Sequence, residues 1–466
     1  MKKFLIIVLA LAFAVGLTCA AYAEVQNVKV SGDITALGIA RALRVQKESQ
    51  FDGNTNSSMA SIARVKVSAD LTDNVSTTVR LLNERYWGSE NTTHGSSTGV
   101  DIDLAYATIK EFFYSPLSIT VGRQELHFGN DMVMGDPDTN NAVTIRSAFA
   151  LATKGASNTT GDPDLSARKA FDAIRATLNY DPLVIDAMYS RVTEATGDQT
   201  VNDKTDLYGL NANYALGNKF GLKNTVLEGY YFLKLKGRKV NVPSNVRDSV
   251  HTIGGRLSTE PLESLVYQLE GAYQFGKYDP ANSGRAAASR KAWALETALS
   301  YTFKKVKTTP MATIGYAYFS GDTNSKNTND EDNYHAWDPM FENQKFGDIA
   351  NALFNQTNAH ILTGQLSAKP LDDLTLKGEY YAFWWAKRYT NASVITDARN
   401  DNNINMSSKK FAGQEIDLTL TYDYTEDVQF GLLGGLFFPG PAFKSDQPNI
   451  NKRVASEVIG SMKVSF

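Results

Sequence analysis

Residues 169–192 read KAFDAIRATLNYDPLVIDAMYSRV. Ile174, Ala176 and Leu178 fall on one face of a period-two strand, and Arg175, Thr177 and Asn179 fall on the other. Asp181-Pro182 then breaks the pattern, and a second alternating run begins at once. Alternation of this length, cut by turn residues, predicts two strands of an antiparallel hairpin. A small or apolar face opposite one that carries an arginine suits a strand with lipid on one side and water on the other.

The same rhythm extends through the chain. Very short connections at Thr72-Asp73-Asn74, Ser115-Pro116, Asp181-Pro182, Leu262-Glu263-Ser264, Leu371-Asp372-Asp373 and Glu426-Asp427 alternate with longer ones rich in Asn, Ser, Thr, Gly and Asp. The count is about eighteen strands, from Val28–Arg41 at one end to Val454–Phe466 at the other, which predicts an all-β transmembrane antiparallel β-barrel with short periplasmic turns and long extracellular loops. Tandem soluble β-sandwiches also alternate, but they call for domain linkers and lack the short-long rhythm. In the last strand Val458, Gly460, Met462, Val464 and Phe466 share one face, and the terminal Phe466 resembles an outer-membrane assembly signal.

The two ends of the chain agree with export to the bacterial outer membrane. Met1-Lys2-Lys3, an apolar run from Phe4 to Leu17, and Ala21-Tyr22-Ala23 predict a signal peptide over residues 1–23 and a single barrel domain over 24–466. Cys19 lies inside that leader, so no disulfide is expected. Loss of Lys2 and Lys3 takes the formal net charge from −3 to −5, which argues against nucleic acid as a partner. The mean hydropathy of −0.29 fits a barrel as well as a soluble protein, since only alternate residues of a barrel strand face lipid. Aromatics near strand ends, among them Tyr86-Trp87, Tyr180, Tyr230-Tyr231, Trp384-Trp385 and Phe437-Phe438, predict girdles at the two interfaces.

Strand phase also predicts what lines the lumen. Arg64, Lys66, Arg80, Arg175 and Arg256 turn inward from the earlier strands, and Glu270, Glu296, Glu415 and Asp417 from the later ones. Two opposed rows of charge would set a transverse field across a pore. His94, His127, His251, His335 and His360 form no HExxH, GxSxG or Cys/His spacing, so neither catalysis nor a metal or cofactor is expected. The tract from His127 to Arg168 has no strand pattern, and a loop this long is expected to fold into the pore.

Ile119–Asp138, ITVGRQELHFGNDMVMGDPD, followed by Arg168–Val192, resembles the core signature of the alginate export family of outer-membrane proteins. The late GLLGGLFFPGPAF (Gly431–Phe443) is similar to that family's C-terminal part. The resemblance implies an eighteen-strand barrel and an arginine-lined pathway for an anionic polysaccharide, with Arg123 and Arg175 at the matching motif positions. The Trp that the family often carries between these motifs is absent from NDMVMGDPDTNN (Asn130–Asn141). By simple alternation Arg123 shares the outward parity of Val121, and a bulge at Gly122 would turn it inward. The expected function is a channel held in outer-membrane lipid that passes anionic saccharides or similar small acids. The alternatives are a general diffusion porin, or a barrel scaffold holding a periplasmic or surface protein.

Overall fold

A computed structural model of the protein describes residues 26–43, 45–47, 56–88, 99–137, 163–193, 204–237, 247–279, 288–322, 333–389, 394–396, 403–443 and 451–466. The predicted leader lies outside them. Eighteen long strands form one closed antiparallel sheet. They are β1 (Gln26–Ala42), β2 (Asn56–Thr72), β3 (Val75–Tyr86), β4 (Asp101–Ile109), β5 (Leu117–Glu125), β6 (Ala170–Asn179), β7 (Leu183–Thr193), β8 (Thr205–Gly217) and β9 (Lys223–Lys236). The second half is β10 (Ser249–Leu262), β11 (Leu265–Tyr278), β12 (Ala288–Thr302), β13 (Met311–Phe319), β14 (Ala359–Leu371), β15 (Leu374–Trp385), β16 (Phe411–Asp423), β17 (Val428–Pro439) and β18 (Ala455–Ser465). No described helix is long and apolar enough to cross a membrane.

Closure is made by β1 against β18, in register from Asp33↔Ser465 to Ala42↔Ser456. Phe466 completes the seam, exchanging backbone hydrogen bonds of 2.7 and 3.0 Å with Gly32. A closed sheet leaves no unpaired edge in a medium that offers no hydrogen bonds, which is what spanning hydrocarbon with strands requires. All six predicted short connections join consecutive strands at one end of the barrel, and the long ones open at the other. Local polar side chains fix these turns, as where Thr72 Oγ1 accepts from the Asn74 amide at 3.3 Å.

The outward faces are apolar as the alternation requires: Val65, Val67, Val79, Leu81, Ile174 and Leu210 are all exposed on the outside of the wall. The inward faces depart from expectation in the extracellular half. There Phe171, Phe232, Phe319, Phe383 and Phe437 point into the barrel and are buried in one apolar cluster with loop residues Leu126, Met132, Met134, Trp337 and Phe341. Neighbouring aromatics therefore divide across the wall. Tyr230, Trp385 and Phe437 are core residues, whereas Tyr231, Trp384 and Phe438, on the opposite strand parity, belong to the outside. A run of two aromatics marks a strand end; it does not mark two girdle positions.

Candidate functional site

Two long extracellular connections enter the barrel and fill its upper lumen. L3 joins β5 to β6 and is described over 126–137 and 163–169; L7 joins β13 to β14 and is described over 320–322 and 333–358. They pair with each other inside. Phe341 N donates to Val133 O at 3.1 Å, Gly135 N to Phe341 O at 2.8 Å, and Asn343 N to Asp131 O at 2.9 Å. The L3 return arm is clamped to the wall by Glu84 of β3, which accepts from Ala167 N at 2.6 Å, Ser166 Oγ at 3.1 Å and Arg168 Nε at 3.2 Å. Arg41 of β1 adds a paired contact to Asp164 at 2.8 and 2.9 Å.

The predicted acidic row is occupied by these loops. Asn130 N donates to Glu270 at 2.6 Å, and Gly129 N to the neighbouring Glu228 of β9 at 3.0 Å. Gln344 Nε2 of L7 donates both to Glu296 at 2.7 Å and to Asn130 O at 2.8 Å. A six-residue helix in L7, α1 (Asp348–Leu353), points its free amides at β16: Ile349 N and Ala350 N each reach Glu415 at 2.7 Å, and Asp348 N reaches Asp417 at 3.3 Å. A carboxylate there satisfies amide donors that the first helical turn cannot pair internally. Glycine makes the approach possible at both anchors. Gly129 (φ 66°) and Gly347 (φ 79°) adopt left-handed backbone, and a Cβ would lie 2.4 Å from Glu270 and 2.5 Å from Glu415 respectively. The transverse field expected from sequence is thus corrected on its acidic side, whose carboxylates accept hydrogen bonds from loop groups of the same chain, backbone amides at Glu270, Glu415 and Asp417 and the Gln344 side chain at Glu296.

The basic row is arranged differently. Arg64, Arg80 and Arg175 each use Nε on a carboxylate of the adjacent strand: Asp33 at 3.0 Å, Asp103 at 2.5 Å and Asp186 at 2.8 Å. This side-on pairing holds each guanidinium at the wall while the side chains of Arg64 and Arg175 stay 25% and 31% exposed to the lumen. Arg80 is less open, because it also reaches Glu125 at 2.5 Å. Lys66, opposite Arg80 in register, is exposed and has no ion-pair partner among the described residues. Arg256 and Arg175 touch the L3 tip from this side. Arg256 Nε donates to Asn130 Oδ1 at 2.5 Å, and the Arg175 guanidinium lies 5.5 Å over the Phe128 ring.

Arg123 does not join that wall. Neither ladder of β5 shifts register at Gly122 despite its φ of 122°. Arg123 therefore stands opposite Asp172 and pairs with it at 3.1 Å. Asp172 alternates with Phe171 and Ala173, both buried inside, and is itself 54% exposed, so the pair lies on the outer side.

Beneath the joined loops a cavity of about 560 Å³ is lined by His127, Asn130, Asp131, Gln268, Gln344 and Lys345 among others. His127 Nδ1 and Asp131 Oδ2 are 2.9 Å apart, and that hydrogen bond holds the imidazole pKa above its ordinary value against partial burial. Sequence reasoning placed His127 in the loop without a role, and nothing local marks Asn130, Gln344 or Lys345. Their importance comes from partners far along the chain. Among the remaining histidines His251 and His360 sit on the outer face, each bonded to a tyrosine hydroxyl at 2.7 Å, and His94 lies outside the described residues. No group of metal-binding side chains occurs among the described residues.

The profile of the alginate export family matches residues 35–456, nearly the whole chain. The protein belongs to the alginate export family. Among solved structures it is similar to the outer membrane protein OpdK of Pseudomonas aeruginosa, at 10% identity and a TM-score of 0.56 over 95% of this chain and 99% of that one. It is likewise similar to P. aeruginosa OccK2 in complex with glucuronate (11%, TM-score 0.54, 95% and 99% covered) and to OpdK with vanillate (10%, TM-score 0.53, 94% and 99% covered). At these identities the likeness speaks for the fold. No match was found among curated protein sequences. This member of the alginate export family is an outer-membrane channel.

Proposed function

We propose that this channel passes anionic saccharides or similar small acids along the arc of wall carrying Arg64, Lys66, Arg80 and Arg175. The observation that carries the reading is the unequal use of the two charged rows. Glu270, Glu296, Glu415 and Asp417 accept hydrogen bonds from L3 and L7, whereas Lys66 and the open edges of Arg64 and Arg175 remain toward the bore. Arginine suits the task because its planar fork stays charged and presents paired donors to a carboxylate. Two of the structural neighbours are solved with carboxylates bound, glucuronate in OccK2 and vanillate in OpdK. The reading is of a non-enzymatic conduit with no metal or cofactor. A partner protein inside the barrel would have to displace L3 and L7 from their anchors, which weighs against the scaffold alternative.

Reversal potentials across planar bilayers in a KCl gradient test this. Chloride is expected to permeate better than potassium, uronic oligosaccharides are expected to block the current, and replacing Arg64, Lys66 and Arg175 by Ala is expected to remove both properties. Equal permeability with no block, the behaviour of a general diffusion porin, would refute the proposal.

A further inference from the structure

The outer face of β7–β12 carries charge where a simple barrel would carry aromatics alone. Strand registers define rows across this face. Nearest the extracellular rim runs Arg191↔Asp206↔Leu235↔Ser249↔Lys277↔Ser289. Two residues below, roughly 7 Å along the strands, runs Tyr189↔Tyr208↔Leu233↔His251↔Phe275↔Lys291. The next step down contains Tyr231, Tyr273 and Trp293. Tyrosine and tryptophan at this density mark the membrane interface, so the upper row stands at headgroup height.

The two upper rows hold three cations and one carboxylate, and a fourth cation reaches them from the chain leading into β10. Asp206 accepts from Arg191 Nε at 2.7 Å, Arg247 at 3.2 Å and the Tyr189 hydroxyl at 3.0 Å. This one carboxylate holds two guanidinium groups in place, and neither is buried: the Arg191 and Arg247 side chains remain 34% and 40% exposed. Lys277 and Lys291 are exposed on the same face, beside and below Ser289, where the Lys277 ammonium donates to the Ser289 hydroxyl at 3.2 Å. The excess is positive, preorganised on the arginine side and extensible on the lysine side. It faces lipid, so what covers it is the headgroup layer of the outer leaflet.

We propose that this patch is a binding site for a phosphorylated glycolipid in the outer leaflet, with Arg191 and Arg247 as the fixed donors to one phosphate. Lys277 and Lys291 of the β11–β12 hairpin, beyond the intervening β9 and β10 and roughly 14 Å or more round the wall from Asp206, take a second. The aromatic row beneath would lie against the upper part of the acyl chains. The requirement is for an anion attached to a lipid, since a free ion would gain nothing from the aromatic rows. Basic side chains near a membrane surface each strengthen such attraction several-fold.

Native mass spectrometry of the detergent-purified barrel, titrated with bisphosphorylated lipid A and with its fully dephosphorylated counterpart, tests the proposal. The phosphorylated form should be retained at least about tenfold better, and the triple variant R247Q/K277Q/K291Q should lose that preference while keeping its single-channel conductance and heat-modifiable mobility. The single variant K291Q, whose side chain packs at the surface, should weaken the preference and covers the case in which the triple variant does not fold. Equal retention of the two lipids, an undiminished preference in both variants, or displacement of lipid A by equimolar inorganic phosphate would each overturn it.

Discussion

Replacement of Glu415 by Gln probes how the inserted loops are held. The carboxylate accepts from Ile349 N and Ala350 N, both at 2.7 Å, and is fully buried beneath α1. Glutamine keeps one acceptor and sets an NH2 group against the second amide, so one charge-assisted bond is lost, the other is weakened, and a buried donor is left unpaired. Hydrogen bonds to charged groups contribute about 1.5–3 kcal/mol, and an unsatisfied buried donor costs about 1–3 kcal/mol. A loss near 3 kcal/mol in L7 docking raises the population of released L7 roughly 100-fold. The barrel itself, held by its continuous ladder, should not unfold. Trypsin cleavage after Lys345, followed by mass spectrometry under conditions where cleavage tracks the open population, should quicken by about that factor. Bilayer recordings should show frequent steps to higher conductance. Unchanged cleavage at Lys345 together with unchanged gating, in a variant whose heat-modifiable mobility is normal, would refute the idea that wall carboxylates anchor the loops.

Other substitutions separate the remaining parts of the argument. Gly129→Ala meets both a left-handed backbone and a Cβ contact of 2.4 Å to Glu270, whereas Gly217→Ala has φ 66° with open space around it. The first should loosen L3 by about 1–3 kcal/mol, seen as added current noise, and the second should leave the current quiet. The His127 pKa is raised by the hydrogen bond to Asp131, so the folded channel gains a lumenal cation as pH falls and loses it as pH rises through a value above that of an ordinary histidine. Anion selectivity measured from pH 8 down to pH 5 should increase through that point, and His127→Asn should flatten the curve. Arg175→Ala should lower anion selectivity several-fold by its reversal potential. Arg123→Ala should leave it unchanged, because its pair with Asp172 lies outside the bore.

The barrel was legible because its determinants are local. Hydrocarbon outside and water inside force every second side chain to be apolar, so Ile174, Ala176 and Leu178 state the face of β6 without reference to any other strand, and Asp181-Pro182 states where it ends. The same parity assigns Arg64, Arg80 and Arg175 to the inward face. What the inward groups touch is not local. Glu415 meets α1 across 65 and 66 residues of chain, Glu270 meets Asn130 across 140, and Gln344 meets Asn130 across 214. No periodicity records such distances. Sequence alone thus determined the strands, their faces, the turns and the closing count. Only the tertiary structure decided that Glu270, Glu296, Glu415 and Asp417 are taken up by the chain's own loops while Arg64 and Arg175 pair along the wall and stay partly open, and that Arg123, in a ladder that keeps its register through Gly122, faces the membrane side. A strand's face follows from the solvent on each side of it, whereas a buried charge takes its role from whichever distant amide reaches it first.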